Sequence, residues 1–474
     1  MSFIRYKKFG KKEYAYEVVA IWDRIAKKAR HKTKYLGVVI DRKKGIYRRK
    51  KEARPPEKLI LDFGDTYLIN QFIKNIGLSQ ILEKIFDNRF SYLLALISYR
   101  LCNPAAMRYA EVWYEGNVAK ILFKDNDLSS QRISEFLMAI GDERCQRLFF
   151  ENYITGFVSP KQGIIIDTTA LPNQIHCPLT LWGYEDEGVD KQIKFLFIID
   201  KNTSLPLFFR YLPGNIVDVS SLKVTVEELK KYGIKRYFIL IDAGFFSEEN
   251  LKGLYKERLS FLTRLPSSRM LYKELIMEEV RDLERFRNAV RYGARVLFIK
   301  QKRVRLFGRM VYAHIVLDPE RKGREITKEL LEVMEDGFSG DEAKIEYELK
   351  RKGIMILISS FKIKKENVVP LYYLRQRVER LFSFAKDDLK LIPLRVHREE
   401  TLRGYLLLLF ITLIVFVLMK KELGKEHTVE EALLTMRNLK CKVYDEEIII
   451  QEISKRQKDI LERLKVIVPK KLGI

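Results

Sequence analysis

Gly163-Ile164-Ile165-Ile166-Asp167 and Tyr237-Phe238-Ile239-Leu240-Ile241-Asp242 decide the fold of this chain. Each is a short apolar run that stops on an aspartate. Runs of this length without polar alternation read as central strands buried on both faces. Working outward, Phe195–Ile199 and Leu205–Tyr211 are further apolar runs, and Ser260–Thr263 is a last one. Ser220–Tyr232 and Ser247–Lys256 have helical spacing. Three strands, a helix, a strand, a helix and a strand predict an α/β protein, a mixed sheet flanked by helices. A carboxylate at the carboxyl end of a buried strand is held rigidly and faces the crevice where such sheets bind ligands. One such aspartate is commonly a turn residue. Two, on strands able to neighbour each other, are half of a site for a hard cation such as Mg²⁺.

A third carboxylate comes from Tyr372-Tyr373-Leu374-Arg375-Gln376-Arg377-Val378-Glu379, continuing to Lys386. On one regular helix, at roughly 100° per residue, Tyr372, Arg375, Glu379 and Lys386 project within about 60° of one another. Leu374, Val378, Leu381, Phe382, Ala385 and Leu389 form the adjacent apolar stripe. A phenol, a guanidinium, a carboxylate and an ammonium then share one face beside the core. By periodicity alone, an amphipathic helix with a solvated charged face is the simpler reading.

Composition narrows the partner. The 474 residues exceed one ordinary domain, and 47% hydrophobic with 32% charged residues fits packed globular structure. Cys102, Cys145, Cys177 and Cys441 are too scattered for a disulfide scaffold or a paired-cysteine zinc site, as expected in a reducing compartment. Lys plus Arg is 88 against 63 Asp plus Glu, a net +25 that calls for a polyanion, either nucleic acid or an anionic membrane. The first 60 residues hold 20 Lys/Arg against 6 Asp/Glu, so +14 lies there. That region lacks the apolar run of a signal peptide. Tyr14–Ile21 and Tyr35–Ile40 predict strands of a small basic β-module, closed off by Pro55-Pro56. Phe63–Ile154 carries helical periodicity, suited either to a helix-turn-helix reader or to a supporting bundle. Arg285–Arg309 holds nine Lys/Arg and no acid, which favours DNA over a solvated face. Gly404–Met419 is 16 residues without a charge. A span needs about 20, so a fully buried core helix and no membrane partner are expected. His176-Cys177 offers two ligands, too few for zinc, and the other histidines are isolated. Trp182 is expected to pack, with insertion into distorted DNA as its sharper alternative.

Tyr-x2-Arg-x3-Glu-x6-Lys, matched by Tyr372, Arg375, Glu379 and Lys386, resembles the signature of insertion-sequence family four, DDE transposases with a ribonuclease H-like catalytic domain. The resemblance extends to Asp167-Thr168-Thr169, to Asp242-Ala243-Gly244-Phe245-Phe246, and to Pro213-Gly214-Asn215 with Asp218 between them. It covers roughly residues 160–420. Asp167 and Asp242 are 75 residues apart, and Asp242 and Glu379 are 137 apart. In this family a β-rich insertion separates the last core strand from the glutamate helix, where the basic strand segment falls.

The resemblance implies Mg²⁺-dependent DNA cleavage and strand transfer with two ions, Mn²⁺ substituting. Asp167 would bridge both ions, and Asp242 and Glu379 would each hold one. Arg375 and Lys386 would clamp phosphates, and Tyr372 would bond a phosphate or stack on an unpaired base. The partners implied are double-stranded DNA, as transposon ends and target, and a second copy of the chain in a homodimer on DNA. A cytoplasmic, nucleoid-associated location follows. The expected divisions are a basic β-module at 1–56, a helical domain at 57–158, a first core part at 159–264 and the insertion at 265–352. A second core part with the glutamate helix spans 353–424, and a C-terminal helical region spans 425–474. Two rivals share these features: a ribonuclease H-like nuclease or resolvase without strand transfer, and a silent DNA-binding relative.

Overall fold

The computed structural model describes residues 2–10, 12–23, 28–48, 59–103, 105–158, 163–173, 176–185, 188–215, 218–234, 237–335, 342–389, 391–392, 394, 396–445 and 447–473. They divide into two compact units, one of residues 1–61, 441–451 and 469–474, the other of 62–440 and 452–468. Pro55-Pro56, read as a linker, lies outside the described residues.

In the first unit β1 (Ser2–Phe9), β2 (Lys12–Asp23), β3 (Lys28–Asp41) and β4 (Ile46–Arg48) form an antiparallel sheet in chain order. The two predicted strands are its longest members. A separate sheet takes β5 (Leu59–Asp62) beside β16 (Lys440–Val443), β17 (Glu447–Ile450) and β18 (Lys471–Gly473). The C-terminal region, expected to be helical, therefore contains strands as well as α16 (Val429–Arg437) and α17 (Lys455–Arg463). Cys441, Val443, Ile448 and Ile450 alternate inward there, a period-two pattern too short to stand out in sequence.

The second unit opens with helices α1 (Gly64–Asn75), α2 (Leu78–Phe86), α3 (Phe90–Cys102), α4 (Ala110–Glu115), α5 (Ala119–Leu122), α6 (Ser130–Ile140) and α7 (Glu143–Gly156). Its central sheet holds β6 (Ile164–Pro172), β7 (Leu181–Glu185), β8 (Gly188–Asp200), β9 (Pro206–Pro213), β10 (Phe238–Ile241) and β11 (Ser260–Arg264). Helices α8 (Asp218–Lys231) and α9 (Glu248–Lys256) alternate with these strands. The order β9-β8-β6-β10-β11 has β8 and β9 antiparallel to their neighbours, while β6, β10 and β11 run parallel. This is the ribonuclease H-like arrangement. Ile164, Ile165, Ile166, Ile239, Leu240 and Ile241 are all fully buried, which is why those runs lack polar alternation.

Helix α15 (Glu399–Leu423) is long and apolar enough to cross a membrane, yet nearly all of it is buried within the protein. Its Phe410 ring meets Phe149, Phe150 and Tyr153 of α7 and Phe197 and Phe209 of the sheet. Helix α6 crosses it at Gly141 and Gly404, where a Cβ on either residue would overlap the other segment's backbone. A core helix explains the charge-free run.

Residues 265–352 hold α10 (Met270–Glu279), β12 (Ala289–Tyr292), β13 (Arg295–Leu306), β14 (Arg309–Leu317), α11 (Pro319–Glu335) and α12 (Glu342–Arg351). Their strands continue the central sheet: β12-β13-β14-β15 lies outside β11, with β15 (Ile354–Ser359) as the joint. Arg295–Lys300 and Val304–Leu306 belong to one strand, β13, and the polar residues between them are partnered. Gln301 donates to His314 Nδ1 at 2.9 Å and to the Ile363 carbonyl at 2.7 Å. Lys302 pairs with Glu278 at 2.5 Å and Glu279 at 2.9 Å. The acid-free stretch is thus not free of counter-charge. Lys300 binds Glu279, Arg295 binds Asp318 and Arg285 binds Asp282, so flanking acids answer four of the nine cations.

His314 is fully buried between Gln301 and Ser359, and its Nε2 donates to Ser359 Oγ at 2.8 Å. Burial holds its pKa down to about 4. The unfolded chain takes the proton first, near 6.5, so this contribution is complete above that pH and is lost as pH falls toward 4. A shift of that size is worth about 3 kcal/mol. His314→Gln should flatten the fall in melting temperature between pH 6.5 and 4.5; an unchanged slope would remove His314 as its source.

Candidate active site

Asp167 lies within β6, and Asp242 is the first residue after β10. Parallel pairing of Ile239 with Ile164 and Leu240 with Ile165 sets the two strands side by side and brings both aspartates to one end. Beyond Asp242 the chain makes one tight turn, Ala243–Phe245. It is pinned by Asn250 Nδ2, which donates to the Phe245 carbonyl at 2.9 Å. Thr263 Oγ1 of β11 donates to the Asp242 carbonyl at 3.3 Å.

Glu379 arrives on a helix that is not the single regular rod expected. It is built as α13 (Lys365–Tyr373), α14 (Gln376–Ser383) and a wider turn at Phe384–Asp388. At the first junction the amides of Leu374 and Arg375 reach back only three residues. At the second, Leu389 N reaches back five residues to the Phe384 carbonyl, widening the helix. Lys386, half-buried, sits in that wider turn, so its direction is not the one a regular wheel assigns.

These elements converge on one guanidinium. Arg375 Nη1 is 3.1 Å from Asp167 Oδ2 and 3.6 Å from Asp242 Oδ2, and its Nη2 is 2.9 Å from Glu379 Oε1. The Tyr372 hydroxyl donates to Asp242 Oδ1 at 3.0 Å. Five of the six residues singled out from the sequence therefore meet within hydrogen-bonding reach. Arg375, expected to face a phosphate, spends its donors on carboxylates here.

Burial pushes the Asp167 carboxyl up to about 7; Arg375 opposes this, and Asp242 and Glu379 add to it. The Thr168 amide also favours the charged form, donating to Asp167 Oδ1 at 3.0 Å. Burial, then the Asp242 charge, raises the Tyr372 phenol above its ordinary value, so it stays a donor. Three carboxylates face one cation, an excess of negative charge in a half-buried place.

The donor set fits a hard divalent cation, which takes oxygen ligands and shares a few carboxylates with substrate phosphates. Among the described residues no three acidic, His or Cys side chains stand close enough to ligate one ion as placed. Arg375 lies among them instead. The chemistry of the donors fits, and their spacing is set by the guanidinium.

His176 is exposed and Cys177 buried, and neither joins this cluster. Trp182, expected to pack, is largely exposed on β7, with Lys191 of β8 over its ring at 5.5 Å. The sequence reading missed the roles of Thr263 and Asn250 in holding the Asp242 turn. A threonine closing the next buried strand was the available signal.

An acid within β6 lies beside one just past the end of β10, and a helix returns a third, on a ribonuclease H-like sheet. The model of the transposase DDE domain family matches residues 158–415, more than half of the chain. The chain belongs to that family: it is a DDE transposase, a protein of DNA transposition. A cryo-EM structure of a piggyBac transposase synaptic complex with hairpin DNA is similar at 13% identity, over 79% of this chain and 76% of that one, with a TM-score of 0.43. No curated protein matches.

Proposed function

We propose that this transposase, of the insertion-sequence family four type, binds the ends of its element, cuts DNA there and joins the freed ends to a target. The carrying observation is the meeting of Asp167, Asp242 and Glu379, from three separate elements, on Arg375. The three carboxylates would hold two Mg²⁺ ions, with Mn²⁺ able to substitute. Bound there, such ions would activate a water or a 3′-hydroxyl and stabilise the leaving oxygen. Tyr372 keeps Asp242 turned into the site through its hydroxyl, and its ring is buried, so the expected stacking on an unpaired base would require it to be uncovered. Arg375 offers a planar fork and Lys386 a point charge to phosphates flanking the scissile one. For Arg375 that contact requires its side chain to swing off the acids. Paired ends call for a homodimer on DNA, and the protein would work in the cytoplasm at the nucleoid.

The test is strand transfer with pre-cleaved duplex ends, Mg²⁺ and supercoiled target. Joined products support a transposase. Nicking of intact ends without any joining of pre-cleaved ones would instead make the protein a nuclease or resolvase.

A further inference from the structure

The N-terminal sheet sorts its side chains by chemistry. Register pairs Phe3 with Val18, Arg5 with Tyr16, Lys7 with Tyr14 and Phe9 with Lys12 between β1 and β2. Between β2 and β3 it pairs Tyr16 with Tyr35, Ala20 with His31 and Trp22 with Ala29. Directly paired residues share a face, so Phe3, Phe9, Tyr14, Tyr16, Trp22, His31 and Tyr35 lie on one side. Ring contacts confirm it: Phe9 meets Tyr14, Tyr14 and Tyr16 both meet Tyr35, and Phe3 meets His31. Two of the cations on this face lie over rings, Arg5 over Phe3 and Lys7 over Tyr16.

Among the described residues, acids are kept off it. Glu13 and Glu17, opposite Lys8 and Ile4, alternate to the other face, where Arg42 pairs with Glu13 and lies over Tyr6. Asp41 turns to the amides of Lys43 and Lys44. The face with Glu13 and Glu17 carries both acids together with Lys8, Lys32 and Lys34, while the other is aromatic and cationic. Trp22 is 63% and Phe9 60% exposed. Along β2, Tyr14 to Trp22 span about 26 Å at ~3.3 Å per residue.

We propose that this face binds single-stranded DNA by stacking unpaired bases on the ring ladder, with Arg5, Lys7 and Lys12 on the backbone. The surface, positive and acid-free among the described residues, selects a polyanion. Rings outnumber cations about two to one, which selects one whose base faces are free. In a duplex those faces are hidden, and the seven rings would have only groove edges and sugars to touch. The surface is independent of the carboxylate site, so its test needs no metal.

The experiment uses the full chain in EDTA and fluorescence anisotropy of a labelled 20-nucleotide strand and of the same sequence as duplex. Phe9→Ala/Trp22→Ala should weaken single-strand binding on the order of tenfold or more and duplex binding less than twofold. Phe9→Tyr/Trp22→Phe should restore it, because stacking needs only a ring. Lys8→Ala, on the acid-bearing face, should cost less than threefold. Equal loss on duplex, no loss on the single strand, failure of the ring-restoring pair, or a change of oligomeric state without DNA would each overturn the proposal. Since DNA cleavage is not read, failure here leaves the transposase reading untouched.

Discussion

Glu379→Gln is expected to lower Mg²⁺-dependent cleavage of transposon-end DNA by on the order of 10³-fold or more, while end binding stays within about twofold. Glu379 is the half-exposed member of the cluster, at 45% side-chain exposure, and its contact is the solvent-facing one with Arg375. The amide has nearly the shape of the carboxylate, so packing of α14 through Val378, Leu381 and Phe382 is unchanged. It lacks the negative charge with which the carboxylate would hold a hard divalent cation. Gel-shift and cleavage assays on the same preparation separate the two effects. Parallel loss of binding and cleavage would mean that Glu379 holds the helix in place rather than taking part in the chemistry.

Arg375→Ala should give the larger change in stability. The guanidinium contacts three carboxylates, one of them nearly fully buried. Removing one partner of a buried ion pair costs about 3 kcal/mol, because the remaining charges lose their compensation. Thermal unfolding without metal should show that loss. Mg²⁺ should then raise the melting temperature of Arg375→Ala more than that of the native protein, since an ion binding only the folded state stabilises it by mass action. An unchanged melting temperature, or an equal response to Mg²⁺, would mean that the guanidinium and the cation do not compete for the same acids.

The two aspartates were legible because strand burial leaves a composition signal: an apolar run, then a carboxylate. Glu379 was legible from its spacing to Tyr372, Arg375 and Lys386, a pattern that survives changes in helix geometry. The geometry itself was not. The short turns at Leu374–Arg375 and the widened turn at Phe384–Asp388 contain no glycine or proline, so a regular wheel was the natural assumption. The phosphate contact of Arg375 followed from the family resemblance, whereas in the structure its guanidinium reaches Asp167 and Glu379. The insertion misled in a similar way. Its cations looked unanswered because Glu278, Glu279, Asp282 and Asp318 lie just outside the window in sequence and beside it in space. Helix α15 was legible because 16 charge-free residues are too few for a span and suffice for a core. The strand pairs of the C-terminal region, each four residues long, fell below what periodicity resolves.

The most direct measurement is cleavage of a duplex carrying the element's terminal repeat by the purified full chain, with Mg²⁺ and with EDTA, for the native protein and for Glu379→Gln. The account predicts cleavage at the repeat boundary with Mg²⁺ or Mn²⁺, none in EDTA, and none by Glu379→Gln under either condition. Cleavage that persists in EDTA, or that survives Glu379→Gln, would contradict a metal-dependent site built from Asp167, Asp242 and Glu379.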